Sequence, residues 1–161
     1  MYAGCIKFVH ATYLHFTNTE VMEYSSLKKI LKNHQLRVTD CRMDVLQFFL
    51  EADHALSTRE LEDRLNQYDR VTLYRTLTSF TEKGVLHHIP DDSGFARYGI
   101  CHETCTPDSH LHNHVHFKCT SCGTISCINK MDVPTVDLPG YFIAESNLIL
   151  TGYCIKCNNT V

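Results

Sequence analysis

Residues 57–100 read STRELEDRLNQYDRVTLYRTLTSFTEKGVLHHIPDDSGFARYGI, and this stretch has the clearest local signals in the chain. Ser57 and Glu60 have the spacing of a capping box, in which a hydroxyl and a carboxylate each bind a backbone N–H at the start of a helix. Asp69 is a typical N-cap for the helix that follows, and Gly84 is a typical residue at a helix end. Two helices joined by a short turn indicate a helix-turn-helix.

The periodicity changes after Gly84. The segments VLHHIP and FARYGI flank the turn residues DDSG, a pattern that predicts the two strands of a hairpin. Upstream, SSLKKILKNH and DCRMDVLQFFLEA have apolar residues at helical spacing, and Thr39 or Asp40 can cap the second of these helices. A helix-turn-helix followed by a hairpin is a winged helix, which we predict for residues 22–100.

The composition is that of a globular chain. Of the 161 residues, 43% are hydrophobic and 20% are charged, which is enough apolar material for one domain or two small ones. No apolar run approaches the roughly 18 residues of a membrane span, so we expect no membrane partner. The net charge is -3 and neither half of the chain is basic, so net charge alone does not indicate nucleic-acid binding.

The two ends of the chain differ from the winged-helix region. In residues 101–161, the short alternating segments HLHNHVHFKC, TISCIN, YFIAE and NLILTGYC predict the strands of a second, small domain. Residues 1–21 are an N-terminal extension, either disordered or a misassigned start, and we assign no role to them. This extension does not match a secretory signal, so we predict a reducing, cytoplasmic location.

The cysteines indicate a structural metal site. The chain has nine Cys, an odd number that excludes complete pairing in disulfides. Two CxxC pairs, Cys119 with Cys122 and Cys154 with Cys157, can each direct two thiolates to one tetrahedral zinc ion. Gly123 relieves the tight turn after the first pair. The alternative is a pair of thioredoxin-like redox motifs, in which one CxxC opens a helix after a strand.

A second metal site is predicted from alternating histidines. His110, His112, His114 and His116 alternate along one predicted strand, so their imidazoles share a face. Two His with one or two Cys suit Zn(II), whereas Fe(II) favours imidazole with carboxylate. The alternative is a solvated His-rich strand without metal. The candidate ligands are His54, Cys101, Cys105, His112, His114, His116 and Cys127. Of these, His54 precedes the capped helix and would bridge the two domains, unless it is a surface residue or a helix cap.

The helix that begins after Asp69 is the candidate DNA-reading element. Recognition helices direct their N-terminal side chains to base edges in the major groove. We expect the first turns of this helix to expose Arg70, Thr72, Tyr74, Arg75 and Thr76. Arg37 and Arg42 precede it and can meet phosphate or the minor groove. The alternative is a solvated helix face in a winged helix that binds protein.

Together, these motifs resemble the ferric uptake regulator (Fur) family of metal-dependent bacterial repressors. The matching blocks are LKNHQLRVTDCR, VTLYRTL, HNHVHFKCTSCG and TGYCIKC. The resemblance implies a winged helix, an α/β dimerisation domain, and a homodimer whose binding to an inverted repeat is triggered by metal. It also implies that Thr72, Tyr74 and Arg75 contact DNA, and that Arg37 probes the minor groove.

The chain departs from the family pattern at several positions. Gln35 stands where Gly is usual, Gly99 and Cys127 stand where acidic ligands are usual, and Ser146 occupies a usual His position. An insertion carries Cys101 and Cys105, and His54 lies one residue from the commonest register, whereas His114 and His116 carry over directly. This softer set of ligands is closer to the zinc uptake regulators than to the iron or peroxide sensors.

These observations lead to one favoured function. We predict an α+β, metal-responsive repressor of metal homeostasis with structural zinc and a second divalent ion, Zn(II) in preference to Fe(II), which binds a near-palindromic operator as a homodimer. The alternatives within the family are an iron, haem or thiol responder. Outside it, they are a zinc-stabilised protein-binding winged helix or a hydrolytic zinc enzyme. The last is disfavoured because HExxH and HxE…PCxxC motifs are absent and Glu103 is the only obvious acid/base residue.

Overall fold

A computed structural model of the chain describes residues 24–90, 92, 94–101, 115–128, 138–141, 143 and 147–158. The helices are α1 (Tyr24–Asn33), α2 (Asp40–Glu51), α3 (Thr58–Arg64), α4 (Arg70–Glu82) and α5 (Ile155–Asn158). The strands are β1 (Leu56–Ser57), β2 (Leu86–Ile89), β3 (Arg97–Ile100), β4 (Val115–Cys119), β5 (Ile125–Ile128) and β6 (Leu148–Gly152). The predicted α+β fold, a winged helix followed by a small α/β part, is confirmed.

The predicted caps position the helices of the winged helix. The hydroxyl of Thr39 accepts from the backbone N–H of Arg42 at the start of α2. Ser57 and Glu60 form both hydrogen bonds of the capping box at the start of α3. At the start of α4, the carboxylate of Asp69 accepts from the backbone N–H of Thr72 at 2.9 Å. Each cap satisfies a backbone donor that the helix itself leaves without a partner.

The winged helix has its own hydrophobic core. Helices α1 to α4 each direct apolar side chains into it, and the wing sheet covers one side. The core side chains with almost no exposed surface are Leu31, Val45, Leu46, Leu61, Leu86 and Phe80. Burial of a Leu or Phe side chain stabilises a fold by about 1.5–3 kcal/mol, so burial of this cluster favours one arrangement of the four helices.

The wing is a sheet of three strands in the order β1-β3-β2. The sequence predicted only the hairpin of β2 and β3, whose antiparallel register pairs His87 with Gly99. Strand β1 is added on the other side of β3, where Leu56 pairs with Tyr98. Two residues carry no periodicity, so β1 exists only through this pairing.

The C-terminal sheet has the strand order β5-β4-β6. Strands β4 and β5 are antiparallel, and their register pairs His116 with Cys127. Strand β6 runs parallel to β4 on its other side. Of the predicted strand YFIAE, the structure describes only Tyr141 and Ile143, and neither lies in a strand.

The wing and the C-terminal sheet touch directly. The backbone N–H of Ala55, just before β1, donates to the carbonyl of Ile125 in β5 at 2.8 Å. Ala55, Ile89 and Ile125 form a small buried cluster, against which Cys127 packs. Lys118 of β4 forms an ion pair with Asp92 of the wing. Among the described helices, none is long and apolar enough to cross a membrane.

Candidate metal centres and nucleic-acid interface

The two CxxC pairs come together in space. Cys119 ends β4 and Cys122 lies in the turn between β4 and β5, whereas Cys154 follows β6 and Cys157 lies in α5. The Sγ atoms of Cys119, Cys122, Cys154 and Cys157 all lie within 4.8 Å of one another, and we call them the four-cysteine cluster. Gly123 has a φ of 72°, the left-handed conformation that favours glycine, so it provides the predicted tight turn.

The four-cysteine cluster has the chemistry of a structural zinc site. The backbone N–H groups of Cys122 and Cys154 donate to the sulfur of Cys119 and lower its pKa to about 6. A thiol of this kind loses its proton readily, and the thiolate is the form that binds metal. Four sulfurs around one point leave no position for a substrate, so the centre fits a structural ion rather than a catalytic one.

A second cluster lies between the wing and the C-terminal sheet. It consists of His87 from β2, His116 from β4 and Cys127 from β5, each of which offers one donor atom within 4.8 Å of the others. Nε2 of His87 lies 3.1 Å from Nε2 of His116 and 3.7 Å from Sγ of Cys127. Both imidazoles are buried, and burial raises the pKa of the Cys127 thiol to about 12.

The donor set of this second cluster fits a small soft ion. Zn–N bonds of about 2.0 Å and Zn–S bonds of about 2.3 Å in a tetrahedron separate neighbouring donors by roughly 3.3 to 3.8 Å. The two distances at Nε2 of His87 are close to this range. Two imidazoles and a thiolate are ligands that suit zinc, whereas a macrocycle such as haem needs far more space than donors this close together leave.

The remaining candidate ligands have different positions. Cys101 lies on the opposite side of the His87 ring, with its Sγ atom 3.6 Å from Nδ1. Its contact is thus with the other ring nitrogen, and it is not one of the three donors that the described cluster brings together. His54 lies at the start of the turn before β1, and its ring nitrogens contact Asp53 at 2.9 Å and Glu60 at 3.4 Å. Its partners in the described structure are thus carboxylates of the winged helix.

Some candidate residues lie outside the described residues, namely Cys105, His110, His112 and His114. Sequence reasoning also missed one member of the cluster, His87, because two adjacent His in a strand have no pattern that distinguishes them. A signal was present at Gly99, where the expected acidic side chain is absent. His87 is the cross-strand partner of Gly99, so the wing supplies a donor from the neighbouring strand.

Helix α4, the candidate recognition helix, presents a mixed basic and aromatic face. Val71, Tyr74 and Arg75 are exposed on α4, with 63% of Tyr74 accessible. The expectation that Thr76 is exposed is wrong. Thr76 is buried, and its hydroxyl lies 3.6 Å from the sulfur of Cys41, because position 76 faces α2 together with the apolar side of the helix.

The other predicted DNA contacts differ in how their side chains are held. Arg37 is exposed, whereas Arg42 donates to the carbonyl of Arg37 at 2.9 Å and to the hydroxyl of Ser79 at 3.1 Å. Arg70 pairs with Glu62 at the surface. The hydroxyl of Thr72 donates to the Asp69 cap at 2.6 Å. Arg42 and Thr72 therefore organise the protein side of this surface.

Comparison with known proteins identifies the family. Residues 33–138 match the ferric uptake regulator family. The chain belongs to this family. A ferric uptake regulation protein of Staphylococcus aureus is 31% identical over 137 residues, which cover 81% of this chain and 95% of that protein.

Solved structures agree with the fold of a ferric uptake regulator. A zinc uptake regulator complexed with zinc and DNA has a TM-score of 0.59 at 23% identity, covering 84% of this chain and 93% of that one. The ferric uptake regulator of Vibrio cholerae has a TM-score of 0.53 at 21% identity, covering 79% and 98%. At these identities, the likeness is one of fold.

Membership in the ferric uptake regulator family assigns the general function. The chain is a metal-responsive transcriptional regulator, and its described residues contain two clusters that can bind metal. Members of the family are transcription regulators, the class that the sequence analysis favoured over a hydrolytic zinc enzyme.

Proposed function

We propose that this ferric uptake regulator family member is a zinc-responsive repressor. It binds a palindromic operator as a homodimer when a divalent ion, Zn(II) in preference to Fe(II), fills the buried cluster. The observation that carries the proposal is the origin of the three ligands. His87 belongs to the wing, whereas His116 and Cys127 belong to the C-terminal sheet.

An ion held by these ligands fixes the orientation of the winged helix. The ion binds strongly only when the wing and the C-terminal sheet lie close together, so its binding free energy favours that arrangement over all others. In a homodimer, two winged helices held in this way match two half-sites at a fixed spacing. Without the ion, each winged helix samples other orientations, and few of them fit the operator.

The preference for zinc follows from the donor atoms. Imidazole and thiolate favour Zn(II), and the described part of the cluster contains no carboxylate. A tetrahedral ion needs a fourth ligand. We assign it to the stretch before β4, which carries Cys105, His112 and His114 as candidates. Zinc in the four-cysteine cluster has a different role, since it stabilises the fold of the C-terminal part.

The DNA-binding surface is the exposed face of α4. Arg75 and Tyr74 are accessible there for base and phosphate contacts. Arg37 is exposed in the chain entering α2, and Arg42 connects its carbonyl to Ser79 of α4. The zinc uptake regulator of similar fold was solved with zinc and DNA, which supports this assignment.

We propose a cytoplasmic location, because a regulator that binds chromosomal DNA must be in the same compartment as that DNA.

Exposed apolar side chains support a homodimer. Large exposed hydrophobic residues are frequent in the described residues of the C-terminal part, namely Leu138, Tyr141, Ile143, Leu150, Tyr153 and Ile155. Exposed apolar surface of this kind is typical of a protein interface. A two-fold dimer implies an operator with two-fold symmetry.

The test compares His87 with its neighbour His88. His88 is exposed and packs edge-on against Tyr98, so His88→Ala is a matched control for His87→Ala. Elemental analysis should give two zinc ions per protomer for the wild type and for His88→Ala, one of them removed by mild chelation. His87→Ala and Cys127→Ser should retain only the tightly held ion.

The second readout is DNA binding in the presence of zinc. A duplex selected from a random pool with the wild-type protein serves as the probe in fluorescence anisotropy. We expect His87→Ala to bind it about 5- to 150-fold more weakly, the usual range of coupling between two ligand sites. Wild-type affinity in His87→Ala would contradict the proposal. A wild type that selects no duplex at all would favour a protein-binding module, and selective loading with Fe(II) would favour an iron responder.

A further inference from the structure

Gly99 lies against the donor atoms of the buried cluster. It is the cross-strand partner of His87, and side chains of such partners project from the same face of a sheet. A Cβ atom at position 99 would lie 2.8 Å from Cε1 of His87, 2.9 Å from its Nε2 and 3.0 Å from Sγ of Cys127. The atoms that a side chain would meet are therefore the candidate metal ligands themselves.

We propose that Gly99 determines which ligands form the cluster. Its missing side chain gives the His87 imidazole the space to cross β3 and meet Cys127 and His116. Any side chain at position 99 displaces the imidazole or the thiolate, and a carboxylate there replaces a soft donor with a hard oxygen. This inference rests on the proposed function, in which the cluster holds a divalent ion.

A side chain at position 99 would act by crowding the donor atoms of His87 and Cys127, and not by straining the backbone. The φ of Gly99 lies outside the left-handed region, so an alanine can adopt the same backbone conformation. His87 is only 2% exposed, and its ring is enclosed by His116 on one side and by the Cys101 contact on the other. The ring therefore cannot move away from a new methyl group without leaving at least one of these partners.

The experiment is a Co(II) titration of the zinc-depleted protein, followed by absorption spectroscopy. Thiolate-to-cobalt charge transfer reports sulfur ligation at each site. We expect the wild type to bind two Co(II) ions. Gly99→Ala should keep the ion of the four-cysteine cluster and bind the second one about 10- to 100-fold more weakly, the usual loss when a residue that supports a ligand is changed.

Gly152→Ala is the matched control. A Cβ atom at position 152 would approach only the Phe117 ring, at 3.4 Å, an ordinary contact. This variant should bind both ions with wild-type affinity. Equal affinity and equal charge-transfer intensity at the second site in Gly99→Ala would overturn the inference and leave the proposed function intact. A wild type that binds only one Co(II) ion would overturn both.

A double variant covers the case in which Gly99→Ala does not fold. If the added methyl group destabilises the protein by crowding the imidazole, then removal of the imidazole relieves the effect. His87→Ala combined with Gly99→Ala should therefore have the thermal stability of His87→Ala alone. Additive losses of stability in the double variant would mean that crowding is not the cause, and would overturn the inference.

Discussion

Gln35 occupies a backbone position that suits glycine. It follows α1 with a φ of 57°, and it is the only residue other than glycine in the described part of the chain with a positive φ. Its N–H donates to the carbonyl of Lys32, and the N–H of Leu36 donates to that of Leu31. This is a Schellman motif, in which the residue after the helix is left-handed. The resemblance to the family already marked position 35 as one where Gly is usual.

We expect Gln35→Gly to stabilise the protein by roughly 0.5–1 kcal/mol. The left-handed conformation costs a residue with a side chain about 1–2 kcal/mol, and the greater flexibility of glycine in the unfolded chain offsets part of the gain. Urea unfolding monitored by circular dichroism measures the change.

The end of α4 provides the reverse experiment. Gly84 has a φ of 70° and forms the same pair of hydrogen bonds, from Gly84 to Thr81 and from Val85 to Phe80. Gly84→Ala should lower stability by a similar amount.

If Gln35→Gly were neutral or destabilising, the side chain of Gln35 would have a stabilising contact that outweighs its strained backbone.

The buried cluster could be predicted only in part at the scale of residues. Cys127 and His116 were found because alternation along a strand and the position after a knuckle are local features. His87 was not found, since His87 and His88 are equivalent in the sequence. Their difference depends on the register of β2 with β3, which turns His87 toward Gly99 and His88 toward solvent.

At the scale of elements, Arg42 links the start of α2 to the recognition helix. Its guanidinium joins the carbonyl of Arg37 to the hydroxyl of Ser79 in α4. This pair of hydrogen bonds fixes Arg37 relative to the exposed face that carries Arg75. Arg42 is therefore a positioning residue, although its basic charge alone suggested a phosphate contact.

We expect Arg42→Met to weaken operator binding without changing its salt dependence. Methionine retains an apolar stem but loses both hydrogen bonds, so the affinity should fall by about 10-fold, the equivalent of one charge-assisted hydrogen bond. Each phosphate contact contributes about 0.9 to the slope of log affinity against log salt. Anisotropy titrations at several salt concentrations measure both quantities.

Arg75→Ala is the comparison for that experiment. Arg75 is exposed on α4, so its loss should reduce both the affinity and the salt slope if it neutralises a phosphate. The two variants should keep the same metal content. A salt slope that falls by about one unit in Arg42→Met would instead identify Arg42 as a direct phosphate contact.

Helices and strands could be predicted from the sequence only where the residues that specify them are close together in the chain. Helices α2, α3 and α4 were predicted because each has a cap and an apolar face within a dozen residues. Strand β1 and the parallel pairing of β6 with β4 were not predicted. Both depend on partners that lie far away in the chain, and no short pattern specifies them.

At the scale of the whole molecule, the two parts differ in what stabilises them. The winged helix has a large apolar core from four helices and the wing. In the described C-terminal part, few apolar side chains are buried, chiefly Val115 and Ile125. The four-cysteine cluster lies at one end of the sheet, where it joins the turn between β4 and β5 to the segment that follows β6. A small domain with so little core usually needs a metal or a partner to fold.

Removal of zinc from the four-cysteine cluster should therefore unfold the C-terminal sheet and spare the winged helix. Cys122→Ser removes one thiolate ligand, so we expect this variant to lose the same sheet without any chelator. Hydrogen exchange read by mass spectrometry should detect a loss of protection in peptides from β4, β5 and β6. Peptides from α2 and α4 should exchange at nearly the wild-type rate. A parallel loss in α4 would show that the two parts fold as one cooperative unit.

The short path between α4 and His87 has a consequence for how such a regulator can change over time. The recognition helix ends at Glu82, and the buried imidazole follows within the same continuous stretch, joined by the Gly84 turn and the first residue of β2. The candidate recognition helix and the buried imidazole are thus separated by only four residues, Lys83 to Leu86. Many side chains in this connection can be exchanged, but an insertion or deletion would rotate α4 against His87. The length of the connection should therefore vary far less than its amino-acid composition.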